Sequence, residues 1–81
     1  MPSAIVRMQR ISGEYLVCSW QDTEIVRVRV VEGTPLPAPG SIIRIWYPRL
    51  GAHRRPVYAT YRGDNIADAV QTILEHLLGM T

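Results

Sequence analysis

Apolar and polar residues alternate with a period of two through most of the chain, and with a helical period only near its end. Five short runs of strand character emerge, at 4–10, 14–20, 23–32, 41–47 and 57–62, divided by turn chemistry. Ser12-Gly13 marks a tight turn after the first run, and Gln21-Asp22 ends the second. Side chains alternate across a strand, so the third run is predicted to show Val26, Val28 and Val30 on one face and Arg27 and Arg29 on the other. In the first run Val6 and Met8 oppose Arg7 and Gln9. In the fourth, Ile43, Ile45 and Tyr47 oppose Arg44 and Trp46. Residues 33–40 carry prolines at 35, 37 and 39, and the fixed φ and missing N–H groups predict an extended piece outside the ladders.

The pattern changes after residue 62. Ile66, Ala69, Val70, Ile73, Leu74, Leu77 and Leu78 share one face at helical spacing, while Gln71, Thr72, Glu75 and His76 take the other. Asp64 or Asn65 is placed to cap this helix, Asp68 lies in its first turn, and Gly79 is a natural residue just past its end. A helix over about 65–78 follows, with its apolar stripe expected to pack on the sheet or its mouth, or else on another copy. The fold class expected is α+β and mostly β: a small, strongly bent antiparallel sheet or partly open barrel of OB or SH3-like type, with about five strands and one C-terminal amphipathic helix.

With 81 residues the chain is read as one domain, β-rich over 1–62. A chain of this size buries roughly 60% of its unfolded surface, so its stability margin is thin. Cys18 is the only cysteine, which excludes an internal disulfide, and no Cys/His cluster suggests zinc. A single thiol suits a reducing compartment, and no run is long enough to span a bilayer, so a soluble cytoplasmic protein is expected, without a membrane partner. Small domains without staples gain stability by associating, and a homodimer or higher homo-oligomer is the expectation.

Charge adds more than the net +2 conveys. All nine basic side chains are arginine. Between Arg7 and Arg62 four acids accompany them, net +5; from Gly63 onward three acids stand without a base, net −3. Arginine forms bidentate contacts with phosphate and stacks on rings, which suits nucleic acid. Arginine without lysine is also what a GC-rich genome encodes. If the strands are neighbours, Arg7, Arg27, Arg29, Arg44 and Trp46 share an outward face, and Tyr58 and Arg62 extend it. Cations tracking phosphate around a ring that stacks a base is how single-stranded nucleic acid is held. The plainer reading pairs these arginines with Glu24 and Glu32 on a solvated face. The loop 48–56, bounded by prolines, concentrates Arg49, Arg54 and Arg55 with His53, and such a tip clamps a phosphate backbone or docks on an acidic protein.

Catalytic chemistry finds little footing. His53 and His76 are the only histidines, and neither sits beside a nucleophile in the sequence pattern. Cys18 alternates with Leu16 and Trp20 and reads as a small buried hydrophobe. No glycine-rich loop precedes a helix as phosphate-binding loops require, and no cofactor or metal is implied.

The segment Glu32-Gly33-Thr34-Pro35-Leu36-Pro37-Ala38-Pro39-Gly40 resembles the connection between central strands in the filamentous-phage single-stranded-DNA-binding proteins. That resemblance covers nine residues and implies a small dimeric OB-type barrel that binds single strands. The second and third runs are joined too tightly to hold that family's long wing, and the C-terminal helix is additional. The function expected is a small non-enzymatic module that binds nucleic acid through Arg7, Arg27, Arg29, Arg44, Trp46, Arg49, Arg54 and Arg55. The alternative is a protein-interaction or assembly module of phage, plasmid or host-interference type, docking through a sheet edge, the proline segment or the arginine loop.

Overall fold

The computed structural model describes residues 1–66 and 74–79. Among the described residues seven strands form in chain order: β1 (Ser3–Ser12), β2 (Tyr15–Trp20), β3 (Thr23–Val30), β4 (Ile42–Trp46), β5 (Arg49–Leu50), β6 (Pro56–Val57) and β7 (Thr60–Asn65). The first two connections are two-residue hairpins. Ser12 pairs with Tyr15, and Gly13 takes φ +62 at the first central position, where a type II′ turn needs glycine. Trp20 pairs with Thr23 across Gln21 and Asp22, both left-handed, as a type I′ turn requires.

Five strands close in a ring in the order β1-β2-β3-β7-β4, with β4 returning to β1. Strands β4, β1, β2 and β3 are a Greek key, and the whole is the five-strand order of OB-type sheets. The sheet is mixed rather than antiparallel throughout. Every ladder is antiparallel except β3 with β7, where Arg29 meets Thr60 and Val30 meets Tyr61. Parity explains this: five strands in a ring cannot all alternate in direction, so one neighbouring pair must run parallel.

Alternation places the core largely as expected. Ala4, Val6, Met8, Leu16, Cys18, Ile25, Val28, Ile43, Ile45, Ala59 and Tyr61 cluster in the interior, with Trp20, Val30 and Tyr47 packed against them. Met8, Leu16, Ile43 and Ile45 are essentially shut off from solvent. Each such side chain contributes about 1.5–3 kcal/mol over leaving it exposed. Val26 departs from the expected pattern and is 54% exposed. The cause is a bulge: Leu16 pairs with Val28 and Cys18 with Ile25, so Val17 faces both Val26 and Arg27. A second bulge sets Gln9 and Arg10 against Val17 from the other side. Extra residues of this kind bend and twist a strand, which helps a short sheet close.

The proline-rich piece after β3 lies outside the strands and is stitched in at its ends. Val31 N–H donates to Tyr61 C=O (3.1 Å), and Gly40 N–H to Met8 C=O (2.7 Å); Pro37 between them is buried. The fifth sequence run is broken: β6 ends at Val57, Tyr58 turns left-handed at φ +55, and β7 starts at Thr60. β7 also continues through Asp64 and Asn65, the expected caps, because Trp46 Nε1–H donates to Asp64 (2.9 Å) and Asn65 registers with Ile43. Ile66 and residues 74–78 are helical. The remainder of the expected helix, including Asp68, Ala69, Val70 and Ile73, lies outside the described residues. Leu74, Leu77 and Leu78, expected to pack on the sheet or its mouth or else on another copy, are 53%, 57% and 73% exposed in the single chain. A stripe at helical spacing calls for an apolar neighbour without specifying which one. No described helix is long and apolar enough to cross a membrane.

Candidate nucleic-acid interface

Between β4 and β7 the chain leaves the ring to form a small hairpin. Arg49 pairs with Val57 and Leu50 with Pro56, so the expected loop 48–56 is largely a two-stranded β5–β6 unit. Its tip is held by its own backbone: Gly51 N–H donates to Arg55 C=O (2.7 Å), Arg54 N–H to Gly51 C=O (3.1 Å) and Arg55 N–H to Ala52 C=O (3.2 Å). Closing the tip so tightly puts His53 and Arg54 at φ +57, in a region that non-glycine residues seldom adopt. Gly51 is needed for space, since a Cβ there would stand 2.6 Å from Val57 Cγ1.

A groove of about 580 Å³ separates this hairpin from the outer face of β2 and β3. Arg27 and Arg29 line its β3 wall, and Arg49 and Arg55 its hairpin wall. Tyr15 and Tyr58 supply rings, while Val26 and Val57 make apolar floor. Tyr58 is 70% exposed, and the Arg49 guanidinium lies 5.5 Å from the centre of its ring. The β2–β3 register puts Tyr15 directly opposite Arg29. Glu24 also reaches the groove, but its carboxylate pairs with Arg10 at 3.4 Å. None of Arg27, Arg29, Arg49, Arg54 or Arg55 is in an ion pair with a described residue. Pairing of the β3 arginines with Glu24 and Glu32, the plainer reading of the sequence, is therefore not what forms.

The other expected residues fall elsewhere. Trp46 and Arg44 stand on β4, across β7 from Arg29: Thr60 pairs with Arg29 on one side and Trp46 on the other. Trp46 is half-buried, its N–H is held by Asp64, and Arg44 and Arg62 lie 5.9 and 5.3 Å from its ring centre. Arg44 Nε is buried without a hydrogen-bond partner among the described residues. Arg7 is exposed on β1, registered with Ser19 and Ile42, and lines neither groove. Arg54 faces a second groove, of about 420 Å³, with Trp20, Gln21, Thr23, Leu50, His53 and Arg55.

The single outward face expected from alternation is thus divided. Arg27, Arg29, Arg49 and Arg55 come together, Arg44 and Trp46 form a separate cluster with Arg62, and Arg7 stands apart. Tyr15 and Val26 were not anticipated at the site. Both depend on the β3 bulge, which shifts Tyr15 to Arg29 and turns Val26 outward. Elsewhere in the molecule, Cys18 is fully buried, and burial pushes its thiol pKa up to about 11 from 9.0, which leaves an inert thiol at neutral pH. Compared with known families and proteins, the chain matches no family model, no curated protein and no solved structure.

Proposed function

We propose that this protein is a small non-enzymatic module that binds single-stranded nucleic acid in the groove between β3 and the β5–β6 hairpin. The observation that carries the reading is a set of four arginines that form no ion pair among the described residues, disposed around two tyrosines and an apolar floor. Bases stack on Tyr58 and Tyr15, and Arg27, Arg29, Arg49 and Arg55 neutralise phosphates. Every base has a π face, so such a surface tolerates sequence. The position supports the reading as well, because OB-type sheets bind oligonucleotides and oligosaccharides on their second and third strands beside this connection. Fold alone assigns no ligand, and the arginines favour the anionic one.

The exposed leucines favour a second reading, a protein-assembly module in which residues 74–78 join two copies of the chain. Docking at a strand edge stays open as a route, since β3 meets β7 only at Arg29 and Val30. Fluorescence anisotropy with labelled single-stranded and duplex oligonucleotides at several salt concentrations tests the first reading. Single strands are expected to bind more tightly, with an affinity that falls as salt rises. Arg27→Ala with Arg29→Ala should flatten the salt slope by about 0.7 for each phosphate no longer neutralised. Absence of binding at low salt, together with a dimer that Leu77→Glu dissociates in sedimentation, would favour the assembly reading instead.

A further inference from the structure

We infer that the groove beside Trp20 is a second base subsite, and that one nucleic-acid strand straddles the β5–β6 hairpin to occupy both grooves. This rests on the reading of the first groove given above. Both grooves border the hairpin and share Arg55: Arg49 and Val57 line the first, and Leu50, His53 and Arg54 line the second. The divider is a small ridge, a hairpin of two strands with two residues each. Its crest carries His53 and Arg54, fixed in left-handed conformations by the tip hydrogen bonds. A phosphate crossing the ridge meets Arg54 and Arg55. The base beyond it meets Trp20, half-buried at the end of β2, where the tight Gln21-Asp22 turn holds the indole beside Thr23.

Among the described residues no acidic side chain lines this second groove, while His53, Arg54 and Arg55 supply donors, so the ligand it fits is anionic with a planar apolar part. A nucleotide of a single strand meets both demands. A duplex does not, because its bases are stacked and paired and cannot be parted by a ridge of protein. The straddled ridge therefore selects against duplexes by geometry, in addition to any preference in the first groove.

Two tryptophans make the test direct. Trp46→Phe leaves Trp20 as the sole indole, and Trp20→Phe leaves Trp46. Oligothymidylates and oligouridylates from two to twelve nucleotides are titrated into each variant at low salt. Trp20 fluorescence should be quenched by the longer oligomers and not by the dinucleotides, with affinity rising at the same length. Trp20→Leu should remove about tenfold or more of that length-dependent gain, in line with about 1–3 kcal/mol per stacked base. Trp20 packs against the core, so Arg54→Ala, an exposed change at the second groove, serves as a check independent of folding; it should also remove the gain and spare dinucleotide affinity. Binding of long oligomers with Trp20 unquenched and Arg54→Ala silent would overturn the second subsite and leave the first groove standing. Failure of every oligomer to bind would overturn both.

Discussion

At Val26 and Arg27 one extra residue enters β3, and the outer face of the sheet is rearranged around it. Strict alternation would have buried Val26 with Val28; the bulge instead buries Ile25 and leaves Val26 as part of the groove floor. A bulge is set by how two strands pair, so neither strand alone announces it. Val6, Met8, Ile43 and Ile45 were legible because their own strands carry no extra residue between them; the irregularity opposite Ile43 and Ile45 lies on β7. Cys18 was legible too, and its environment has a measurable effect. The folded protein keeps this thiol protonated up to about 11, while the unfolded chain ionises it near 9.0. Between those values the unfolded state has released the proton and the folded state has not, so stability is full below about 9 and declines as pH rises towards 11. Urea unfolding of wild type and Cys18→Ala at pH 8, 9 and 10 checks this. The difference between the two proteins should shrink as pH rises.

The β5–β6 hairpin is the element on which the candidate site depends most and the one the sequence disclosed least. Its strands are two residues each and β6 begins with proline, so no alternation is long enough to see. The concentration of arginines there was legible; the wall it builds was not. Gly51→Ala tests the hairpin separately from the ring. The new Cβ meets Val57 Cγ1, and a β-branched side chain has little rotamer freedom with which to yield. Overpacking of this kind costs on the order of 1–3 kcal/mol. That cost should fall on the hairpin, so oligonucleotide affinity is expected to drop several-fold while the thermal midpoint, set by the ring, shifts little. Paired anisotropy and melting curves measure both. A C-terminal helix was legible, and the exposure of Leu74, Leu77 and Leu78 was not, because spacing describes a face and not its neighbour.

For the molecule as a whole, the ring follows from two tight hairpins and a returning β4, and neither its strand order nor its closure could be read along the chain. That closure is uneven. β1 is bound along much of its length by β2 and β4, whereas β3 and β7 meet only at Arg29 with Thr60 and Val30 with Tyr61. Beside these pairs, Arg29 N–H donates to Ala59 C=O (2.9 Å) and Val31 N–H to Tyr61 C=O (3.1 Å). Local opening follows the least-supported bonds, so the ring breathes at this seam before it unfolds. Native-state hydrogen exchange should find the amides of Arg29 and Val31 exchanging ahead of that of the fully buried Met8, which donates to Ser41 (2.8 Å) just past the end of the β1–β4 ladder. Exchange of all three at one common rate would mean that the ring opens only as a unit. The seam borders the groove, and the hairpin on the groove's far wall runs on into β7. A strand of nucleic acid lying between β3 and that hairpin would then act as a latch across the closure, and slower exchange at Arg29 and Val31 would register its arrival.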